Sequence, residues 1–365
     1  MTDLPQQIKL GLFALILAFT QTFVINTITD FFIADSNWLI TFPLSLILAV
    51  VSVVIYKQGH VKDTPAVNKS YNIISHWWGL LFNLFFASIL YYPILLFTGQ
   101  PYIAGLALVG AIILYVYGIN RAKDIAVKRL DLEYKDHKIE NTNKIIGFIS
   151  DLHLGKILDE NFVKTIVSHL DDEKIDYLLI GGDMFDSVET NWQKVLAPLK
   201  EFAARVPTYY VTGNHDYYVD FETKLRPAIK EAGINLLESG SVELDSVVIH
   251  GIPHHLSESD FDFYKQFKKL EINDNKLNIL LYHEPTPKHS RYALLNGINL
   301  QLSGHTHYGQ MAPMNIVSWI FYGNFNYGSF YDEENDAYQY TSSGIGSWGP
   351  PVRTTAKPEI ILLEI

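Results

Sequence analysis

The chain shows two patterns of hydrophobic residues, and the change between them falls near residue 120. The first part holds four long apolar stretches with almost no charge, at about 10–28, 38–56, 74–97 and 102–119. A helix needs about 20 consecutive apolar residues to cross a bilayer, and each stretch is at or near that length. Residues 1–120 are therefore predicted to form a transmembrane domain of four helices.

Basic residues alternate with the predicted spans in a way that indicates orientation. Lys9 precedes the first span, and Lys or Arg recur in the second loop, 57–73, and after the fourth span, at 121–129. The loops at 29–37 and 99–101 have no Lys or Arg. Positive loops collect on the cytoplasmic side, so we expect a multi-pass protein of the cell membrane whose second domain is cytoplasmic. Because no small-x-small cleavage site follows the first span, we expect it to be retained rather than removed as a signal peptide.

After residue 120, short apolar runs alternate with amphipathic stretches. Apolar residues recur at helical spacing in 161–170, 191–204 and 221–232. Strands that alternate with helices predict an α/β layered sheet, and a strand-rich second half predicts a second sheet packed on the first. A polar turn is expected at 135–143, and a long loop or hairpin in the aromatic segment 315–336. The predicted strands are 127–134, 144–150, 177–180, 209–212, 241–252, 277–282, 300–303, 338–342 and 359–363.

Five of the apolar runs end in aspartate, asparagine or histidine. A single such end is typical of a helix cap. Five in order, with glycines that let the backbone turn and approach a ligand closely, predict one shared site at the carboxyl edge of the sheet. The five ends are Asp151-Leu152-His153, Gly182-Asp183, Gly213-Asn214-His215-Asp216, His283, and Gly304-His305-Thr306-His307.

These five blocks, in this order, resemble the calcineurin-like metallophosphoesterase family over about residues 125–365. The resemblance implies an α/β fold, a four-layer αββα sandwich at 121–365 that follows the four-helix transmembrane domain. The ending 342–353, which is rich in Gly, Ser and Pro, is also similar to that of a membrane-tethered bacterial branch. That branch contains phosphodiesterases that act on nucleotide-linked lipids.

Hydrolysis of a phosphoester must bring a nucleophile to a phosphorus that negative oxygens shield. Two metal ions about 3.5–4 Å apart do this by acidifying a water, holding it in line and neutralising the equatorial oxygens. Mixed His, Asp and Asn shells accept manganese, iron or zinc, so the identity of the two divalent ions stays open. The resemblance implies that Asp151, His153 and His307 bind the first ion, that Asn214, His283 and His305 bind the second, and that Asp183 bridges them.

The resemblance also implies that His215 is the general acid or hydrogen-bond donor to the leaving oxygen. Asp216 is expected to orient the ring of His215 and to raise its pKa. His305 and His307 lie two positions apart, so on a regular strand both would face one side and approach the ions together.

Residues around these blocks have expected roles outside the ligand set. His254 and His255 are expected at the rim of the site or on the surface, and Glu284 either bonds a ligand histidine or faces solvent. Asp186 is expected to brace the Gly-Gly-Asp turn. The aromatic segment 315–336 is either an apolar ramp towards the bilayer or a loop packed on its own core.

Composition narrows the function further. A net charge of −11 argues against a general nucleic-acid binder, and a chain with no cysteine has no disulfide and no thiolate site. We expect a membrane-bound phosphoesterase that hydrolyses a phosphodiester or pyrophosphate by in-line attack of a metal-bridging hydroxide. A nucleotide-linked lipid and a soluble nucleotide both remain open as substrates. The alternative from another class is a non-catalytic membrane sensor or transporter with a phosphoesterase-like domain.

Overall fold

The computed structural model describes residues 6–33, 37–130, 132–134, 144–186, 188, 190–218 and 220–364. The chain divides into two compact units, residues 1–120 with 349–352 and residues 121–348 with 353–365. The polar turn predicted at 135–143 lies outside the described residues.

The first unit contains four long helices, and each is long and apolar enough to cross a membrane. The third helix begins at Pro65, so most of the basic loop predicted at 57–73 is helical and only residues 62–64 separate two helices. The helix starts there because Thr64 caps it through its side chain and proline suits the first helical position. The helices are α1 (Gln6–Ile33), α2 (Trp38–Val61), α3 (Pro65–Thr98) and α4 (Pro101–Arg121).

Polar side chains inside these helices bond to one another. Asn26 Oδ1 on α1 accepts from Thr41 Oγ1 on α2 at 2.9 Å. His76 Nδ1 on α3 lies 3.0 Å from the hydroxyl of Tyr115 on α4. Such pairs between helices satisfy groups that a bilayer leaves without water.

The second unit is built on two six-stranded sheets. In the first sheet the strand order is β1-β12-β2-β3-β4-β5, and β2 to β5 are parallel. In the second sheet the order is β10-β11-β9-β8-β7-β6, and β7, β8, β9 and β11 are parallel. The strands are β1 (Ala126–Leu130), β2 (Ile145–Ile149), β3 (Tyr177–Ile180), β4 (Thr208–Tyr210), β5 (Asn235–Leu236), β6 (Gly240–Leu244), β7 (Val247–Ile252), β8 (Leu277–Tyr282), β9 (Leu300–Ser303), β10 (Gly328–Asp332), β11 (Ala337–Thr341) and β12 (Glu359–Glu364).

The two sheets share one apolar core, which contains Phe148 and Leu179 from the first sheet and Ile279 and Leu302 from the second. Side chains alternate along a strand, so each sheet also has apolar side chains on the face that points away from this core. Helices cover that outer face of each sheet. This arrangement confirms the predicted four-layer αββα fold. Helices α5 (Glu160–Glu173), α6 (Trp192–Ala203) and α7 (Arg226–Glu231) cover the first sheet, and α8 (Asp260–Phe267) and α9 (Pro287–Leu295) cover the second.

Two sequence predictions differ from the structure. The strand predicted at 241–252 is two antiparallel strands, β6 and β7, that turn at residues 245–246. The segment predicted as a loop or hairpin contains a further helix, α10 (Met314–Tyr322), before β10. The apolar run of α10 is only nine residues long, and a run that short cannot be assigned to helix or strand by periodicity alone.

Candidate metal centre

The predicted site residues follow the carboxyl ends of five strands. Asp151 and His153 come after β2, and Asp183 comes after β3. The parallel strands of each sheet run in one direction, so their ends meet at one edge of the sandwich. The remaining site residues follow the ends of β4, β8 and β9: Asn214, His215, Asp216, His283, His305 and His307.

One group of ligand atoms is formed by Asp151, His153 and His307, whose atoms lie within 4.8 Å of one another. The Nε2 atoms of the two histidines are 3.0 Å apart. Nε2 of His307 is 3.5 Å from Oδ1 of Asp151. All three side chains are buried, so their polar atoms converge on a point away from water.

A second group is formed by Asp183, His283 and His305. Nε2 of His283 lies 3.1 Å from Oδ2 of Asp183, and Nδ1 of His305 lies 2.9 Å from Oδ1 of Asn214. The same Oδ2 of Asp183 is 3.9 Å from Nε2 of His153 in the first group. Asp183 therefore stands between the two groups, where a bridging carboxylate would be.

The backbone at these positions is unusual. Residues other than glycine rarely adopt the left-handed region, and such conformations persist only where surrounding contacts hold them. Here the carboxylates supply those contacts: Asp151 Oδ1 accepts from the backbone N–H of His305 at 2.9 Å, and Asp183 Oδ1 accepts from that of His215 at 2.8 Å. Five of the site residues have positive φ: Asp151 (53°), His153 (45°), Asp183 (48°), His305 (69°) and His307 (47°).

The prediction that His305 and His307 share one face of a strand is wrong. Strand β9 ends at Ser303, and both histidines follow it in left-handed backbone. They consequently turn to different groups, His305 towards Asn214 and His307 towards His153.

Two glycines of the motifs are required by close contacts. Gly182 has φ of 100°, and a Cβ there would overlap the ring of His283. A Cβ on Gly213 would overlap the carboxylate of Asp183. Any larger residue at either position would displace a side chain of the site.

Burial controls the charge of the histidines. It lowers the pKa of His153 to about 3 and that of His305 to about 4, and it holds the pKa of His307 well below its usual range. These three imidazoles are therefore neutral at pH 7, which is the form that binds metal ions.

The carboxylates have opposite shifts. Burial raises the pKa of Asp151 to about 6. Burial also opposes ionisation of Asp183 and His283, but their mutual attraction and hydrogen bond hold the pKa of Asp183 well below its usual range and raise that of His283 to about 10. At pH 7 the Asp183–His283 pair is thus ionised, while the imidazoles of His153, His305 and His307 are neutral.

The donor set fits two divalent cations. Neutral imidazole nitrogens, two aspartates and one amide oxygen form the mixed N/O shell that manganese, iron and zinc accept. Nε2 of His153 and Nε2 of His307 face each other across 3.0 Å, and a cation ligated by both nitrogens would satisfy both lone pairs. A carbonyl of Gly181 lies 2.8 Å from Nδ1 of His283 and can fix its tautomer, as is common for ligand histidines.

His215 lies beside the first group. Its ring centroid is 4.8 Å from that of His153, and burial lowers its pKa. Among the described residues its buried Nδ1 has no hydrogen-bond partner. The rings of Tyr218 and Trp348 lie 4.8 and 5.8 Å from it, so His215 sits between two largely exposed aromatic side chains.

The structure corrects the role expected for Asp216. Its carboxylate accepts from the backbone N–H groups of Asp183 at 3.1 Å, Phe185 at 3.1 Å and Gly213 at 2.7 Å. Asp216 therefore ties together the loops after β3 and β4, and the pKa of His215 is lowered by burial rather than raised.

Glu284 also differs from expectation, whereas the bracing role expected for Asp186 stays a prediction. Glu284 Oε2 is 3.2 Å from Nε2 of His254 at the rim, so its partner is a rim histidine and not a ligand. Asp186 lies with His153 and His215 in a third group of candidate ligands, with atoms within 4.8 Å.

Sequence reasoning assigned no role to Arg353, which is fully buried. Nη2 of Arg353 lies 3.1 Å from Nδ1 of His307, and Nε of Arg353 donates to the carbonyl of Gly346 at 3.0 Å. Burial lowers the pKa of Arg353 to about 10. The sequence offered one signal for such a role, which is the position of Arg353 inside the Gly-, Ser- and Pro-rich ending 342–353. An isolated cation that is buried there needs a polar partner.

A double-sheet αββα sandwich with paired His/Asp groups at one edge defines a class, that of the metal-dependent phosphoesterases. Residues 145–309 match the sequence profile described as calcineurin-like phosphoesterase. The chain is 31% identical over 259 residues to an uncharacterized metallophosphoesterase of Campylobacter jejuni, covering 70% of this chain and 68% of that protein. It belongs to the calcineurin-like phosphoesterase family.

Two further relatives extend the comparison. An uncharacterized metallophosphoesterase of Helicobacter pylori is 30% identical over 230 residues, 62% of this chain and 61% of its own length. A protein of Bos taurus named transmembrane protein with metallophosphoesterase domain is 27% identical over 278 residues, 71% of this chain and 61% of its own length. The chain thus spans between three fifths and seven tenths of these relatives.

Proposed function

We propose that this protein is a membrane-bound phosphoesterase that hydrolyses a phosphodiester or pyrophosphate with two divalent metal ions. The observation that carries the proposal is the position of Asp183, whose Oδ2 lies 3.1 Å from His283 of one group and 3.9 Å from His153 of the other. A carboxylate shared between two groups of histidine ligands is the arrangement that a pair of ions about 4 Å apart requires.

Each group would hold one ion, which is manganese, iron or zinc. When bound, the two ions supply the positive charge that activates a water and neutralises the phosphoryl oxygens. The chain contributes the rigid placement of the ligands, because left-handed backbone and carboxylate-to-backbone bonds fix them before substrate arrives. The ligands of the first ion are Asp151, His153 and His307, those of the second are Asn214, His283 and His305, and Asp183 serves both.

His215 is the proposed catalytic residue outside the ligand set. It stands next to His153 at the open side of the site, and its neutral ring carries one N–H that can donate to the leaving oxygen. Asp216 is proposed as a positioning residue, because it holds the backbone of Asp183 and Gly213 at the two loops that carry Asp183 and His215.

The substrate proposed is a lipid-linked phosphoester, with a nucleotide-linked lipid as one form. The support is that four helices of the same chain are long and apolar enough to span a membrane, which holds the domain next to lipids. The basic loops favour a cytoplasmic position for the phosphoesterase domain. The net charge of −11 opposes nucleic acid as a substrate.

The test uses the purified full-length protein with Mn²⁺ and bis-p-nitrophenyl phosphate, beside the Asp183→Asn variant. Turnover that depends on metal and is lost in the variant supports the proposal. No turnover with manganese, iron or zinc would favour the non-catalytic alternative. Lipid-linked and soluble diesters are then compared in full-length protein, and equal kcat/KM for both would contradict the lipid substrate.

A further inference from the structure

Helix α10 is an apolar helix with no buried residue. Its sequence is Met-Asn-Ile-Val-Ser-Trp-Ile-Phe-Tyr, with only Asn315 and Ser318 strongly polar. Large apolar side chains of a helix normally face a core. Here five of them are exposed to between 39% and 71%: Ile316, Val317, Trp319, Ile320 and Phe321.

No comparable patch occurs elsewhere in the described part of the phosphoesterase unit. Its other large exposed hydrophobic residues are Phe261 on α8 and Leu295 on α9, which are single, and Tyr218 and Trp348, which flank His215. Scattered exposed hydrophobic residues are normal, whereas a contiguous apolar patch marks a surface that something covers.

The start of α10 is linked by hydrogen bonds to Arg121, the first residue of the phosphoesterase unit. Ala312, two residues before the helix, donates its backbone N–H to Thr354 Oγ1 at 2.8 Å. The carbonyl of the next residue, Thr355, accepts from Arg121 Nη2 at 3.3 Å. Arg121 is the last residue of α4, the fourth candidate span. Within the phosphoesterase unit, α10 is therefore tied by hydrogen bonds to the end of that span.

The other end of α10 lies at the metal centre. The hydroxyl of Tyr322, its last residue, donates to Glu284 Oε1 at 3.0 Å. The ring of Tyr322 is 5.9 Å from that of His305. A helix rises about 1.5 Å per residue, so these nine residues extend about 13 Å from the tether to the site.

We propose that α10 lies in the interface of the lipid bilayer, with its exposed Ile, Trp and Phe side chains among the upper acyl chains. Interfacial helices bind in this way through large apolar side chains, and Trp and Tyr favour the headgroup level. Lipid is the occupant that the structure favours, because the helix is tied to the residue at which a membrane span ends. In combination with the proposed function, α10 holds the metal centre beside lipid headgroups and selects amphiphilic phosphoesters.

The chain has no cysteine, so a single spin label can be placed without altering other positions. Ile320→Cys labels α10, and Phe261→Cys on α8 is a matched control because Phe261 is also exposed, to 75%. Full-length protein in nanodiscs of neutral and anionic phospholipid is then examined for label accessibility to oxygen and to a water-soluble nickel chelate.

We expect the label at position 320 to favour oxygen, which concentrates in lipid, and the label at position 261 to favour nickel. Equal preference for nickel at both positions would overturn the proposal. So would exclusion of both reagents from position 320, since that result means protein rather than lipid covers the helix.

A second measurement tests selection of amphiphiles separately from catalysis. In the double variant Ile320→Ser/Phe321→Ser we expect an unchanged kcat/KM on a soluble diester. On a phosphoester carried in vesicles we expect kcat/KM to fall by about tenfold or more. Phe261→Ser should change neither value. Equal losses on both substrates would overturn the selection role. If wild-type protein hydrolyses neither substrate, the proposed function fails, while the accessibility result still decides where α10 lies.

Discussion

Nε2 of His153 and Nε2 of His307 lie 3.0 Å apart, although 154 positions separate the two residues in the chain. His153 follows β2 of the first sheet, and His307 follows β9 of the second. Their contact therefore exists only when the two sheets pack face to face. Metal binding at this group and folding of the sandwich are expected to be coupled.

Divalent metal should stabilise the folded phosphoesterase unit. At a free Mn²⁺ concentration 100 times the dissociation constant, each site adds about 2.7 kcal/mol to the free energy of unfolding. The measurement is the thermal midpoint of full-length protein by near-ultraviolet circular dichroism, with Mn²⁺ and after chelation. His153→Ala/His307→Ala should lose about half of the metal-induced shift, and an unchanged shift would show that the ion binds elsewhere.

Asp183→Asn should lose both turnover and metal. The amide lacks the charge that two ions share, and metal assistance contributes several kcal/mol to the transition state, so turnover should fall by about 10³-fold or more. Hydrolysis of bis-p-nitrophenyl phosphate and metal content by mass spectrometry measure the two effects. Asp172→Asn is the control, since Asp172 is exposed and lies on α5. Full activity in Asp183→Asn would disprove the bridging role.

His215→Ala should reduce turnover while both ions stay bound. A positioned proton donor contributes about 10²–10⁴-fold. The loss should be larger for an alkyl leaving group than for nitrophenolate, which departs without a proton. Paired rate measurements on the two diesters, with metal content determined in parallel, check this. Equal losses on both substrates would remove His215 from the role of donor to the leaving oxygen.

Asp216→Asn should destabilise the protein even without metal. The carboxylate accepts three buried backbone N–H groups, and the amide presents donors to some of them. Leaving buried donors unsatisfied costs about 1–3 kcal/mol each, so a loss of about 3 kcal/mol is expected. The thermal midpoint of metal-free protein reports it, with exposed Asp274→Asn as control. A midpoint equal to that of the wild type would contradict the bracing role.

Arg353→Lys should weaken the first metal site. The guanidinium contacts His307 and the carbonyl of Gly346 through separate nitrogens, which the single ammonium of lysine does not reproduce. Changes to partners of ligand histidines cost about 10–100-fold in metal affinity. Activity measured as a function of metal concentration should show this loss of affinity as a higher metal concentration for half-maximal activity. The kcat should recover at saturating metal. A lowered kcat at saturation, with unaltered affinity, would place Arg353 in another role.

The apolar pattern predicted the element types well where length or alternation was distinctive. Four stretches near 20 residues indicated four membrane-length helices, and short runs before polar residues indicated β2, β3, β8 and β9. Boundaries were less predictable, because α3 continues through Lys69 to the cap at Thr64. Helix α10 escaped prediction because its nine-residue apolar run is too short for periodicity to distinguish a helix from a strand, and the local sequence does not show what covers it.

The partners of Asp216 and Arg353 were not predictable for a related reason. The sequence shows a carboxylate beside His215, but spacing along the chain does not say which donors surround it in space. Only packing brings the backbone N–H groups of Asp183 and Phe185 to Asp216, and His307 to Arg353.

The sequence by itself determined which side chains are offered at the strand ends, because residue type and glycine spacing are local properties of the chain. It also determined that the family's ligand residues are all present. Tertiary structure alone decided the distances within each group and the backbone path after β9, where left-handed conformations at His305 and His307 turn the two side chains apart. The physical reason is that a two-metal site depends on distances between loops of two sheets, and those distances exist only after the shared core has packed.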